Sequence, residues 1–249
     1  ENVFMKVLPE EKQDSIKEIL EADLSTYERF DKANLIVYGY SKSLSGDEKA
    51  EFDEKLSNYL EEFQEDYAKE TEKTIIHKIR INKDEIEYKG SGEVPGYVLN
   101  QFSMDEYDSY FRIATTTSSG ESSLNHLYVL NEELEIIGKV EDLAKGERIY
   151  STRFLGERTY MVTFRQVDPL FVIDLSNPNK PEVLGYLKVT GYSSYLHPYD
   201  NNHIIGIGME ADEQGRITGL KIALFDVSDV EAPEQRAKFE IKKENGWVD

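Results

Sequence analysis

The sequence holds no cysteine, four histidines, one tryptophan and seven prolines in 249 residues. None of its apolar runs approaches the roughly 20 residues that a membrane-spanning helix needs. Each absence excludes something. Without thiols there is no disulfide, no thiolate metal site and no cysteine nucleophile. With so few histidines and no Gly-x-Ser-x-Gly elbow, a nucleophilic triad has no support. Without a long apolar helix, no membrane insertion is expected in this segment. Positive charge is also scarce: 29 Lys and Arg stand against 49 Asp and Glu, for a net charge of −20. Such a field repels phosphate backbones and anionic lipid, so nucleic acid is not an expected partner. It suits solubility in salt or outside a cell, and it attracts cations or basic partners. The chain opens Glu1-Asn2-Val3, with neither an initiator methionine nor a charged-then-apolar leader. That start predicts a processed chain or an excised fragment.

What is present is a repeat. Leu170-Phe171-Val172-Ile173-Asp174 is an apolar strand that ends on a carboxylate, and similar runs end at Asn131, 43 positions earlier, and at Asp226, 52 positions later. A fainter copy ends at Ile81-Asn82. The short Asp or Asn side chain can bond the backbone N–H groups of the turn that follows. Two copies add prolines just beyond, at Pro178 and Pro233, where ladder pairing has to stop. Upstream of each clear copy lies an alternating strand (Tyr110–Thr115, Tyr160–Arg165, His203–Gly208), then a polar turn, then a further strand shortly after Gly96, Gly146 or Gly191. Downstream come Glu135–Gly138, Glu182–Gly185 and, more loosely, Glu234–Ala237.

Each unit is thus four short strands, A to D, in about 45 to 50 residues, the spacing of propeller blades. The expected fold is all-β: a β-propeller of about four blades of four-stranded antiparallel sheet, part of a larger propeller, with an acidic helical insertion near the N-terminus. The expected blades span about 1–95, 96–145, 146–190 and 191–241. In the first, Val3–Val7 is read as strand A, Asn34–Tyr38 as B, Thr74–Ile79 as C and Glu85–Tyr88 as D. Gly246-Trp247-Val248 reads as the start of another blade.

The runs VPGYVLNQFSMDEY (94–107), GERIYSTRFLGERTYMVTFRQVDPLFVIDL (146–175) and GYSSYLHPYDNNHIIGIG (191–208) resemble the secreted β-propeller family of archaea and bacilli, itself distantly related to WD40 proteins. The similarity covers roughly residues 74–241. It implies a propeller exported to the cell exterior or surface, and it supplies no catalytic residues. Four blades are fewer than is usual, which predicts a fragment, an open arc or closure by self-association.

The insertion, residues 45–73, carries Phe52, Leu56, Tyr59, Phe63 and Tyr67 on one helical stripe, with Ser45 as a candidate N-cap. Between 46 and 72 there are 11 acids and 3 bases, so the opposite face is strongly negative. Pro9 to Phe30 reads as a second helix. The two are expected to pack their stripes on each other or on the propeller; the alternative is a lid or docking element.

Because the strands alternate in direction, the B–C and D–A loops share one end of the propeller. The B–C loops vary widely, through residues 115–125, 165–168 and 209–219, whereas the A–B loops are short and alike. Elaborated loops on a rigid scaffold are where binding residues tend to lie. The candidate ligand-binding residues at that end are therefore Arg148, Tyr150, Tyr192 and Tyr195, together with Arg165 and Asp168, a pair that would equally weld two blades together. Calcium is the only cofactor left open, through Asp105, Glu106 and Asp108 or Glu210, Asp212 and Glu213. Neither set has ordered calcium-loop spacing, so both are read as turn residues. His197, His203 and Asp200 are likewise read as strand and turn residues, not a metal site.

The expected function is a non-enzymatic binding module or scaffold, extracellular or at the cell surface, recognising a protein or cell-envelope component. The rival is a polysaccharide hydrolase or lyase working through two carboxylates at the channel mouth.

Overall fold

The computed structural model describes residues 2–117, 123–164, 167–212 and 214–242. The chain forms two compact units, Glu1–Tyr67 and Ala68–Asp249.

The first unit is helical: α1 (Asn2–Val7), α2 (Glu10–Glu21), α3 (Thr26–Ser43) and α4 (Gly46–Thr71), the last of which runs on into the second unit. Pro9 and Ser25 precede α2 and α3 as N-caps. Ser25 Oγ accepts the Glu28 N–H at 3.3 Å while the Glu28 carboxylate accepts the Ser25 N–H at 2.9 Å, a reciprocal capping box. Val7, Leu8, Ile16, Ala33, Val37 and Phe52 bury together, with Leu56 and Tyr59 packed against them.

Two expected strands are therefore helices. Val3–Val7 lies in α1 and Asn34–Tyr38 in α3. The apolar run Leu35-Ile36-Val37-Tyr38 reads as a buried strand, and a run this short does not distinguish strand from helix. Its burial does: Ala33 and Val37 face the core at a helical spacing of four, whereas Leu35 and Tyr38 remain 69% and 62% exposed. The acidic helix thus follows other helices and interrupts no blade. The expected helix over Pro9–Phe30 is two helices separated by Ala22–Ser25.

The second unit is all β. Strands β1 (Lys73–Asn82) and β2 (Glu85–Pro95) form a two-stranded hairpin. The next sheet runs β3 (Tyr97–Val98), β4 (Met104–Tyr107), β5 (Tyr110–Thr117), β6 (Leu124–Leu130) and β7 (Ile136–Leu143); β3 and β4 both pair with β5, a single inner strand broken by a 3₁₀ turn at Gln101–Ser103. The polar residues Asp105–Tyr107 upstream of β5 are thus strand, and the turn itself is Asp108-Ser109. Two four-stranded antiparallel meanders follow: β8 (Arg148–Leu155), β9 (Arg158–Phe164), β10 (Val167–Asp174) and β11 (Glu182–Thr190), then β12 (Tyr192–Pro198), β13 (His203–Ala211), β14 (Ile217–Asp226) and β15 (Glu234–Lys242). These three sheets are called here blades 1, 2 and 3. Blade 1's B–C loop over 118–122 and the Gly246–Val248 strand lie outside the described residues.

The Asp and Asn turns do what their chemistry predicts. Asp174 Oδ1 accepts the Ser176 N–H at 3.0 Å, Asp226 Oδ1 the Ser228 N–H at 3.0 Å, and Asn131 Oδ1 the Glu135 N–H at 2.8 Å. All three occupy the same place, at or just after the end of strand C.

Apolar faces close between neighbouring sheets. Ala114, Leu127 and Val129 of blade 1 meet Ile149, Met161 and Ile173 of blade 2. Tyr160, Val162, Leu170 and Val172 on the other face of blade 2 meet Leu196, Ile204, Ala223 and Phe225 of blade 3. The hairpin seals one face against blade 1, where Val94 and Ile76 pack with Ile113, Tyr128 and Leu130. Each strand alternates its side chains between two seams, as a radial stack of antiparallel sheets requires.

Candidate functional site

The chain passes from one sheet to the next through Gly96, Gly146 and Gly191, whose φ angles are +81°, +78° and +69°. The left-handed backbone is matched by close approach at two of them. A Cβ at Gly191 would meet the Met209 carbonyl oxygen at 2.1 Å, and one at Gly96 the Thr116 carbonyl oxygen at 2.7 Å. Each glycine delivers the chain into an inner strand that begins with a Tyr or Arg: Tyr97, Arg148 and Tyr192.

Strand β8 then bulges. Ile149 pairs with Thr163 and Ser151 with Val162, so Tyr150 is the extra residue. A bulge re-aims a side chain, and here Tyr150 turns toward blade 3. Its ring centroid lies 4.3 Å from that of Tyr192 and 5.6 Å, edge-on, from that of Phe164; Tyr192 and Phe164 are 4.8 Å apart. The Arg148 guanidinium sits 5.1 Å from the centre of the Tyr150 ring and donates to the Tyr150 hydroxyl at 3.2 Å. That hydrogen bond raises the Arg148 pKa, as does its attraction to Tyr150, Tyr97 and Tyr192. Burial pushes the Tyr192 hydroxyl up as well. The cluster thus sets one guanidinium among aromatic rings, with Arg148 exposed and the rings of Tyr150, Tyr192 and Phe164 half-buried or buried.

Three of the six sequence candidates, Arg148, Tyr150 and Tyr192, come together here. Tyr195 does not join them. It lies three residues further along β12, edge-on to Phe102 at 5.7 Å, with its hydroxyl 3.2 Å from His197 Nδ1, and Arg153 stands 5.4 Å over the same Phe102 ring. Tyr195 is thus part of a second aromatic and arginine group on the inner strands. Arg165 lies outside the described residues. Asp168 of β10 pairs with Val189 of β11, which places its backbone at the B–C end of blade 2. Phe164, which completes the cluster, was not among the candidates. The one available signal was its position as the last residue of a B strand, opposite Arg148.

Beneath this end lies a polar layer. Thr163 Oγ1 donates to Glu147, Ser123 Oγ to the Glu147 carbonyl at 2.9 Å, and Asn125 Nδ2 to the Leu143 carbonyl at 3.0 Å. In blade 3 the buried Glu210 accepts from Lys238 at 3.0 Å and from Thr190, and the buried Lys221 donates to the Thr190 carbonyl. The B–C connection expected as a loop over 209–219 is mostly strand, closed by Asp212, whose Oδ1 accepts the Gln214 and Arg216 N–H groups at 3.0 Å each. Asp105 pairs with the buried Arg112. Glu213 lies outside the described residues. Among the described residues no three His, Asp or Glu side chains are grouped so as to hold a metal ion, and no helix is long and apolar enough to cross a membrane.

The uncharacterized protein MJ1554 of Methanocaldococcus jannaschii is 41% identical over 246 residues, which is 97% of this chain and 38% of that protein. An uncharacterized protein of Archaeoglobus fulgidus is 39% identical over 233 residues, 94% of this chain and 36% of that protein. The chain therefore spans well under half the length of these relatives. The crystal structure of BamB from Moraxella catarrhalis aligns with a TM-score of 0.37 at 11% identity, over 68% of this chain and 67% of that one. The family described as "Beta propeller domain" matches residues 8–248, and with nearly the whole length covered, the chain belongs to that family.

Proposed function

We propose that this propeller is a non-enzymatic binding module, extracellular or at the cell surface, that holds a protein or cell-envelope component against Arg148, Tyr150 and Tyr192. The observation that carries the reading is the cluster itself. An exposed arginine is fixed on a tyrosine ring, and two adjacent blades converge their inner strands on it. Arg and Tyr anchors seated on a rigid, partly desolvated base are what binding hot spots are made of. Arg165 and Asp168 join the proposal on sequence grounds alone. The rival, polysaccharide cleavage, needs two carboxylates about 5 to 10 Å apart and facing a cleft. Glu147 and Glu210, carboxylates at this end, are instead bonded to threonine hydroxyls.

The test is capture from a cell-envelope extract by the protein and by its Arg148→Ala/Tyr192→Ala variant, with bound components identified and titrated. Loss of two hot spots weakens binding by roughly a hundredfold or more. Unchanged affinity in a folded double variant would sink the reading. The module as proposed needs no cofactor, so added calcium leaves its melting temperature unchanged; a rise would instead assign an ion to the acidic turns.

A further inference from the structure

The hairpin β1–β2 is built like half a blade. In each complete sheet the outermost strand carries a bulge opposite strand C. Val129 pairs with Gly138 and Leu130 with Ile136; Val172 pairs with Gly185 and Ile173 with Val183; Leu224 pairs with Ala237 and Phe225 with Gln235. In the hairpin Lys78 pairs with Gly90 and Ile79 with Tyr88, so Lys89 is skipped as Ile137, Leu184 and Arg236 are. In three of the four sheets the residue after the skipped one is glycine. Strand β2 also leaves through Gly96 as β7 leaves through Gly146 and β11 through Gly191. By register and by exit, β1 is a strand C and β2 a strand D.

Strands C elsewhere are paired on both sides: β6 with β5, β10 with β9, β14 with β13. Among the described residues β1 pairs only with β2. Its other edge presents a row of backbone donors and acceptors over ten residues. A pocket of about 190 Å³ lies beside it, lined by Ile76 and Lys78 of β1 and by Glu106, Ser109 and Phe111 of blade 1. In a complete seam that space belongs to strand B of the preceding blade, as Ala114 shows between blades 1 and 2 and Val162 between blades 2 and 3.

The flanks agree. The hairpin face turned away from blade 1 carries Ile75, Ile79, Ile81, Ile86 and Tyr88, all between 56% and 76% exposed. The face of blade 3 turned away from blade 2 carries Ile207, Ile222, Phe239 and Ile241, between 42% and 63% exposed, with Ile207 and Phe239 paired on either side of Ile222. Apolar patches of this kind mark contact surfaces, and both have the chemistry of the seams that are closed.

We propose that two strands from a part of the same polypeptide outside these 249 residues add to the free edge of β1 as strands A and B. One blade is thereby shared between segments distant in sequence, and further blades of that polypeptide cover the two apolar flanks. The relatives supply the length: the matched region is 38% and 36% of them, and a blade takes about 45 to 50 residues. This inference is independent of the ligand reading.

The experiment is residue-resolved hydrogen exchange on the full-length polypeptide across a range of concentrations. The amides of β1 should exchange as slowly as those of the central strands β6, β10 and β14, at every concentration and with monomeric mass. Alternate amides of β1 exchanging roughly a hundredfold faster, in the pattern of the outer strands β11 and β15, would overturn it. Protection that appears only as the protein dimerises would overturn it too, by making a second copy the occupant. Ile79→Lys in the full-length polypeptide should speed exchange in β1 while leaving β10 slow; equal protection of β1 in the variant and the parent would count against covered flanks.

Discussion

Tyr150 of β8 and Tyr192 of β12 bring their ring centroids within 4.3 Å across the seam between two blades. The contact depends on two separate pieces of local geometry, the bulge that turns Tyr150 aside and the glycine that starts β12. Stability therefore rests on the same residues as the proposed binding site.

Because both rings pack on each other and on Phe164, Tyr192→Ala should lower stability by about 2 kcal/mol, whereas the exposed Arg148→Ala should change it by less than about 1 kcal/mol. A double-mutant cycle of Tyr150→Ala and Tyr192→Ala should return a coupling of about 1 kcal/mol. Urea unfolding of the four proteins measures it, and additive effects would show that the rings do not interact.

His126 provides a pH response. It is fully buried; its Nδ1 accepts the Asp142 N–H at 3.3 Å, and its Nε2 lies 3.1 Å from Thr117 Oγ1. Burial drives its pKa down to about 4, against the opposing pull of Asp142 and Glu141 and with Lys69 and Lys139 nearby. The unfolded chain therefore takes up a proton near pH 6.5 that the folded chain refuses until about pH 4. Stability conferred by the neutral imidazole is complete above about pH 6.5 and is lost as the pH falls through that window, by up to about 3 kcal/mol. Urea midpoints between about pH 4 and 8 should show this slope, and His126→Gln should flatten it.

Two glycines with similar backbones should respond differently to alanine. Gly156 has φ +57° with nothing within 4 Å of the point a Cβ would occupy, whereas Gly191 has φ +69° and a carbonyl oxygen 2.1 Å from that point. Gly156→Ala should cost about 1 kcal/mol, the left-handed penalty alone. Gly191→Ala should cost about 3 kcal/mol or more, because backbone has to move as well. Equal melting temperatures for the two variants would contradict the close approach at Gly191.

Carboxylates should divide by burial. Glu210→Ala removes the buried acceptor of Thr190 and leaves Lys238 with Glu240 as its remaining carboxylate, and should cost about 2 kcal/mol. Glu182→Ala breaks a pair with Lys180 at the surface and should change stability by less than about 0.5 kcal/mol. Chemical denaturation at low and high salt separates the cases, since only the exposed pair is screened.

Much of the fold was readable along the chain because its signals are local. Asn131, Asp174 and Asp226 cap turns through atoms two to four residues away, and Gly96, Gly146 and Gly191 answer to their own backbone angles. The bulge at Tyr150 gives no such signal. It exists because Ile149 and Ser151 pair with consecutive residues of another strand, and so the turning of Tyr150 toward Tyr192 and Phe164 could not be read in advance. The run at 34–38 shows the same limit, since its four apolar residues suit a strand or a helix until Val7, Ile16 and Phe52 are there to be met.

The amino-acid order by itself determined the repeat, the strand directions within the three blades and the acidity of the chain, since period, turn chemistry and charge need no partner. Only the tertiary structure decided which aromatic rings converge on Arg148, which histidine is held neutral and which edge of the hairpin is unpaired among the described residues. Those properties arise from pairing register and burial between segments far apart in sequence, and no local pattern encodes them.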